Sequence, residues 1–187
     1  TREAAQKITG ASVATLAALA DKALLWRNPH TERYEVHELL RQYAEEQLEQ
    51  SGEGEAARLA HQEYYAALAG TWGAAIWRGK QREAYAVLDA DIDNIRQALA
   101  HATVRGIAKE LEPYSDLIWY YDRCGWWTEL LALFKAAGER LEPHDSVALA
   151  KMLKGQGTVI SDMPPPPGAS LRAVLAKSGD DPAAGRA

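Results

Sequence analysis

Cysteine is nearly absent from this sequence, because Cys124 is the single cysteine among 187 residues. It cannot form an internal disulfide, which is typical of proteins in a reducing compartment. The sequence also lacks a run of about 18 apolar residues that could cross a bilayer, and it shows no signal-peptide pattern. We therefore expect a cytoplasmic protein with no membrane-spanning segment.

An excess of positive charge is also missing. The chain carries 21 Lys and Arg against 26 Asp and Glu, which gives a formal net charge of -5. Surfaces that bind nucleic acid by neutralising phosphates are normally basic. The composition therefore disfavours nucleic acid as a partner, whereas a hydrophobic content of 47% is ample for a packed core.

Residue patterns that carry catalysis or metal binding are scarce. No Ser or Cys lies in a nucleophile motif, and the five histidines have no metal-ligand spacing; they are His30, His37, His61, His101 and His144. The segment from Gly73 to Lys80 does not match a Walker loop, because its glycine spacing is too long and Gln81 replaces the Ser or Thr that binds magnesium. We predict a protein that is not an enzyme, holds no metal, and neither hydrolyses ATP nor binds it tightly.

The sequence changes character between Tyr34 and Ala44. Tyr34 and Val36 alternate with polar neighbours, as in a half-buried strand, and apolar residues then recur on one helical face: Val36, Leu39, Leu40, Tyr43 and Leu48. His37 therefore lies where a strand becomes a helix. Exposed N–H groups at a helix start suit such a residue to contact an anion, but a lone histidine there is also typical of a solvated or locally hydrogen-bonded side chain.

The residues before this junction predict two short helices and a hairpin. Thr1 and Ser12 are N-cap residues for the two helices. Two strands follow, at 24–27 and 33–36, with Asn28-Pro29 as the turn signal. The order helix, helix, hairpin, helix is that of a partial winged helix.

A winged helix that reads DNA carries Arg, Lys, Asn or Gln on its second helix. The stretch from Ser12 to Ala23 offers only Lys22. The pattern favours a packing module, and a DNA-binding winged-helix transcription regulator stays as an alternative.

A small polar break at Ser51-Gly52-Glu53-Gly54 separates two predicted domains, a winged-helix-like domain at 1–50 and a helical domain at 55–187. Residues 56–77 predict one helix with a break near Gly70 or Gly73, and residues 85–99 predict a second. The turn at 78–82 carries three positive charges, which suit either a phosphate-bearing partner or a solvated turn. We expect residues 55–187 to be almost wholly helical.

Further along, two stretches of similar order, 118–143 and 157–182, predict two helical hairpins. Their spacing is similar to the tetratricopeptide pattern, a helical pair of about 34 residues that stacks on its neighbours and leaves a concave surface for partners. One buried face is predicted to consist of Leu111, Tyr114, Ile118 and Tyr121. The predicted fold class is thus mainly α: a partial winged helix with one β-hairpin, followed by a tetratricopeptide-like α-helical array.

Aromatic residues are frequent, with six Trp and eight Tyr, and several of them cluster at 119–127. Trp119, Tyr120 and Trp126 are candidate anchors for a partner, since Trp and Tyr dominate interface hot spots. The alternative is that these rings form core, although consecutive rings cannot all face inward from one helix. The prolines at 164–167 predict a stiff connector, with a polyproline ligand as the alternative.

Three stretches near the start of the chain together resemble a known family. They are Thr1–Gln6, Leu16–Leu25 and Tyr34–Ala44, and a further likeness lies at Asp93–Leu99. They resemble the winged-helix end of STAND (NB-ARC-like) signal-transduction ATPases, which include relatives of apoptosis and plant disease-resistance regulators and bacterial regulators of transcription. The resemblance is most specific over residues 1–50.

Val36-His37-Glu38 is similar to the Met-His-Asp motif of that family. The resemblance implies that His37 contacts the β-phosphate of bound ADP and helps to hold a closed state. Val36 and Glu38 depart from the motif but keep an apolar and an acidic side chain. ADP and ATP are thereby implied for the full-length protein, bound by a nucleotide-binding domain upstream of Thr1, and no cofactor is expected in this chain itself.

The sequence therefore predicts a non-catalytic sensor part of a STAND-type regulator, which begins inside a larger protein. Its partners would be the upstream nucleotide-binding domain and a protein or small-molecule effector on the helical repeats, with oligomerisation on activation. The alternatives are a free-standing tetratricopeptide-like scaffold for protein–protein interaction and the DNA-binding winged helix. An upstream Walker loop would separate the first hypothesis from the second, and a salt-dependent DNA shift would favour the third.

Overall fold

Helices dominate the computed structural model, which describes residues 1–138. Within this range the helices are joined by one two-stranded antiparallel hairpin, which confirms the predicted mainly-α fold with one β-hairpin. The elements in chain order are α1 (Arg2–Thr9), α2 (Val13–Asp21), β1 (Trp26–Arg27), β2 (Tyr34–Glu35), α3 (Glu38–Ser51), α4 (Gly54–Trp77), α5 (Gln81–Arg105), α6 (Ala108–Leu111), a 3₁₀ helix (Glu112–Leu117), α7 (Ile118–Cys124) and α8 (Trp127–Gly138).

The first two helices begin at the predicted N-caps. The Thr1 hydroxyl accepts a hydrogen bond from the Ala4 N–H at 3.2 Å, and the Ser12 hydroxyl accepts one from the Thr15 N–H at 3.0 Å. Each bond satisfies one of the N–H groups that a helix start leaves without a partner. The starts of α1 and α2 are therefore determined by neighbouring residues.

The hairpin is shorter than predicted, because each strand has two residues instead of four. Its register pairs Trp26 with Glu35 and Arg27 with Tyr34. The chain leaves the extended conformation close to both strands: Ala23 has a left-handed backbone with φ 55°, and α3 begins at Glu38, three residues after the second strand ends. Inside the loop the Asn28 side chain accepts the His30 N–H at 3.0 Å, which confirms the predicted turn.

The long helices α4 and α5 form the centre of the molecule. The predicted break in α4 near Gly70 or Gly73 is wrong, since the helix is continuous over 24 residues. The two glycines instead allow the 3₁₀ helix to approach α4. A Cβ atom placed at Gly73 would lie 2.9 Å from the Asp116 Cβ, and one at Gly70 would lie 3.4 Å from the Pro113 Cβ.

The core lies between α4, α5 and the segment from α6 to α7. The predicted buried face at Leu111, Tyr114, Ile118 and Tyr121 is confirmed, because all four side chains are buried. The segment is nonetheless not one helix: Pro113 lies in the first turn of the 3₁₀ helix, where its missing N–H costs nothing. Further buried residues from α4 and α5 complete the core: Tyr65, Ala69, Leu88, Ile95 and Leu99.

The predicted boundary between domains coincides with the end of α3 at Ser51, where Gly52 caps the helix with φ 77°. Residues on the two sides of this boundary nevertheless contact each other. Ala4 of α1 belongs to the same buried cluster as the core of α4 and α5, and Arg33 of the hairpin loop is ion-paired with Asp91 of α5. These contacts join the hairpin and α1 to the helical part.

The helices α4 and α5 have 24 and 25 residues, so the pair is longer than a tetratricopeptide unit of about 34 residues for both helices. The described part of the predicted helical domain, 55–138, contains helices and no strand. The second predicted hairpin, at 157–182, and the proline run at 164–167 lie outside the described residues.

None of the helices within 1–138 has the length and apolarity that crossing a bilayer requires.

Replacing Tyr114 by phenylalanine should leave stability unchanged or raise it by about 1 kcal/mol. The Tyr114 hydroxyl is buried and has no hydrogen-bond partner within residues 1–138, so its removal relieves a desolvation cost. Burial also raises its pKa above the ordinary value. Urea unfolding followed by circular dichroism tests this, with Tyr120→Phe as the control. Tyr120 donates to Asp89 Oδ1 at 2.8 Å, so losing that bond should destabilise the fold; equal losses in both variants would contradict the prediction.

Candidate functional site

His37 lies at the junction between β2 and α3, as the sequence predicted. Its backbone is extended, and its Nδ1 atom accepts a hydrogen bond from the Leu39 N–H at 3.3 Å. The side chain is exposed, and its Nε2 atom has no partner within the described range. His37 is therefore the N-cap of α3 and still has one ring nitrogen free to bind a ligand.

The acidic neighbour of His37 is held by α3 itself. Arg41 donates to both carboxylate oxygens of Glu38, at 2.7 and 2.9 Å, and the Gln42 amide donates to the same group at 2.8 Å. These bonds lower the pKa of Glu38 to about 2, with Arg41 as the main cause. Glu38 and Arg41 thus satisfy each other, which leaves His37 as the polar side chain of this junction available to an anion.

Apolar side chains of α3 surround this junction without being covered. The sequence pattern places Val36, Leu39 and Tyr43 on one helical face, but Leu39 and Tyr43 are 69% and 61% exposed and α3 has no buried residue. Two apolar side chains earlier in the chain are also exposed, Leu24 before β1 and Trp26 in β1. Large apolar groups at adjacent positions are more typical of an interface than of a solvated surface.

The second helix, α2, offers little to DNA. Asp21 is the charged residue of α2, and no basic residue lies in its last turn. A groove of about 770 Å³ runs between α1, α2 and the hairpin; its charged lining residues are Arg2, Glu3, Asp21, Arg27 and Glu32. Arg27 and Glu32 neutralise each other as an ion pair. The groove therefore lacks the positive field that phosphate binding requires.

The predicted partner anchors fall into two groups. The structure corrects the prediction that Tyr120 is a partner anchor. Its side chain is buried and its hydroxyl donates to Asp89, so it is not accessible to a partner in this structure. Trp126 is partly buried beneath the Arg96 guanidinium, which lies 4.2 Å from the ring centroid. Arg96 is fixed in turn by Glu129, at 2.6 and 2.8 Å. Trp126 therefore contributes to packing between α5 and α8.

Trp119 is partly buried and contacts an aromatic residue that the sequence pattern did not single out. The rings of Trp77 and Trp119 pack edge to face, with centroids 4.3 Å apart and an interplanar angle of 83°. Trp77 is 59% exposed, although it directly follows the buried residues Ala75 and Ile76 at the end of α4. Its position beside the basic turn at 78–82 is the sequence feature that could have indicated a surface role.

Two other histidines are structural. His101 contacts the buried Gln62 side chain through an Nδ1–Oε1 distance of 2.6 Å, and Gln62 donates to Glu110 at 2.7 Å. Burial lowers the pKa of His61, whose ring packs 4.6 Å from that of Tyr65. Within residues 1–138 no group of three His, Cys, Asp or Glu is placed to hold a metal ion.

Comparison of the chain with family models, with curated proteins and with solved structures finds no match in any of the three. The case for a function therefore depends on the geometry described above and on the motif resemblance of residues 1–50. The two features that bear on it are the His37 junction and the exposed apolar face of α3.

Proposed function

We propose that this chain is the winged-helix and helical part of a STAND-type regulator, in which the winged helix packs against a nucleotide-binding domain. His37 helps to hold the ADP-bound closed state, and the helices beyond α3 receive a protein or small-molecule effector. The chain itself performs no chemistry. The cytoplasm is its proposed compartment, and oligomerisation accompanies release of the closed state.

The exposed apolar face of α3 carries this proposal. Leu39 and Tyr43 lie on the helix that begins at His37, so a domain that covers them would also meet the free Nε2 atom. Covering large apolar side chains contributes about 25 cal/mol for each Å² removed from water. Such a domain would be held mainly by apolar contact, and the histidine would add one charge-assisted hydrogen bond to a phosphate.

A free-standing helical scaffold stays as the second candidate, because α4, α5, the 3₁₀ helix and α7 share one buried cluster. The discriminating experiment uses the longer reading frame that contains this chain. A Walker loop upstream and retention of ADP on purification would support the switch. A frame without a nucleotide-binding module, or a longer protein in which Leu39→Asp leaves ADP retention unchanged, would overturn it. Lys22→Asp, which also alters the exposed surface but lies at the C-cap of α2, is the control.

His37→Ala should change the free energy of unfolding of this chain by no more than about 1 kcal/mol, since the side chain is exposed and its capping bond is long. In the longer protein it should speed ADP release about tenfold or more, because a hydrogen bond to a charged group contributes about 1.5 to 3 kcal/mol. Chemical unfolding and release of a fluorescent ADP analogue measure the two effects. Large destabilisation of the chain, or unchanged release, would make His37 an ordinary helix cap.

A further inference from the structure

One end of the α4–α5 pair combines an exposed indole with a group of cations. Arg78 and Lys80 lie in the turn that follows Trp77, Arg82 lies in the first turn of α5, and all three are exposed. Trp119 packs against Trp77 from α7. We name these five residues the Trp–basic surface. The proposed His37 switch does not use this surface.

The three cations of this surface have no acidic partner within residues 1–138 and lie within five positions of one another. Most arginines of that range are in ion pairs: Arg27, Arg33, Arg41, Arg58, Arg96, Arg105 and Arg123. No ion pair involves Arg78, Lys80 or Arg82, although acidic residues outnumber basic ones in this chain. Unneutralised cations this close in sequence produce a local positive potential that attracts an anionic group.

The indoles add an apolar contact to that potential. One side of Trp119 contacts the core, and its other contact is the edge-to-face packing on Trp77. Trp77 consequently has a fixed neighbour and an exposed remainder, so little side-chain entropy is lost when a partner covers it. A rigid, partly exposed Trp beside Arg is the typical composition of an interface hot spot.

We propose that the Trp–basic surface binds a short acidic segment of a protein partner, with one apolar side chain of that segment against Trp77. Single-stranded nucleic acid fits less well, because an edge-to-face pair offers few ring faces for successive bases and the net negative charge of the chain repels a long polyanion. A membrane fits less well because one exposed indole provides little apolar area for insertion.

Within the proposed function, the acidic segment would be the effector that the helices receive. The inference rests on the proposed function only in naming the segment as that effector. The binding test uses the complete 187-residue chain without nucleotide or other domains. Failure here would leave the His37 switch untouched, and failure of the switch would leave this surface untouched.

The probe is a fluorescein-labelled peptide of glutamates around one central leucine, and binding is followed by fluorescence anisotropy. We expect the unaltered chain to bind it, with affinity falling as salt rises. The triple variant Arg78→Glu, Lys80→Glu and Arg82→Glu should bind at least about tenfold more weakly, and Trp77→Ala about tenfold more weakly. Both variants alter exposed positions, and circular dichroism verifies that they fold.

The matched control is Arg2→Glu with Lys22→Glu and Lys109→Glu, which changes the net charge equally at exposed positions elsewhere. Retained binding in this control supports the proposal, and an equal loss would show that only net charge matters and would overturn it. No binding of the probe by the unaltered chain would also overturn it. Tighter binding of oligo(dT) or of phosphatidylserine vesicles than of the peptide, with loss of that binding in the triple variant, would overturn the proposal and assign the surface to nucleic acid or membrane instead.

Discussion

Replacing Arg33 by methionine is expected to lower the free energy of unfolding by about 3 kcal/mol. Arg33 donates to both carboxylate oxygens of Asp91, which is only 7% exposed. Without the guanidinium the Asp91 charge stays buried and keeps the hydrogen bond from the Asn94 amide at 3.1 Å, but it loses its countercharge. Urea unfolding followed by circular dichroism measures the loss.

Two further variants separate the possible causes of that loss. The double variant Arg33→Met with Asp91→Leu removes both charges and should recover most of the stability, because an apolar pair of similar volume is often as good as a buried ion pair. Arg27→Met is the control, since its pair with Glu32 on the same hairpin is exposed and should contribute little. A loss of equal size in Arg27→Met would contradict the special role of Asp91.

The same pair should make stability depend on pH. Burial alone would raise the pKa of Asp91, but the hydrogen bonds from Arg33 and Asn94 outweigh it, and the net pKa lies below its ordinary value. A lowered carboxyl pKa adds stability above the unfolded pKa of about 3.9, and that stability is lost as the pH falls through the folded pKa. The unaltered chain should therefore lose more stability below about pH 4 than Asp91→Asn does.

The second large effect is expected at Gly73, where alanine should destabilise the fold by about 1 to 3 kcal/mol. Its Cβ atom would lie 2.9 Å from the Asp116 Cβ and 3.2 Å from the Asp116 carbonyl carbon, so the 3₁₀ helix would have to move away from α4. Helix propensity acts in the opposite direction, because alanine is favoured over glycine inside a helix by about 0.5 to 1 kcal/mol. The observed change is the difference between the two.

Gly70→Ala is the matched control, three residues earlier in the same helix. Its Cβ atom would meet Pro113 at 3.4 Å, which is an ordinary contact, so propensity should dominate and stability should be unchanged or rise by up to about 1 kcal/mol. Thermal unfolding of the two variants in parallel measures the contrast. If both substitutions stabilise the chain equally, α4 and the 3₁₀ helix are not closely packed.

Features that depend on neighbouring residues could be predicted from the sequence. The caps at Thr1 and Ser12, the Asn28 turn and the position of His37 all follow from interactions within a few residues, and the structure confirms each of them. The mainly-α class likewise follows from the periodicity of apolar residues. The function implied for His37 is still a proposal, because a local pattern cannot show which domain covers it.

Tertiary structure alone decided the rest. The Arg33–Asp91 pair joins residues 58 positions apart, and no local pattern indicates that pairing. The continuity of α4 through Gly70 and Gly73, the burial of Tyr120 and the exposure of Trp77 depend on what the 3₁₀ helix and α7 place against α4. The physical reason is that propensity differences of about 1 kcal/mol per residue are smaller than the energy of packing or of leaving a charge unpaired, so contacts between distant residues decide where the two disagree.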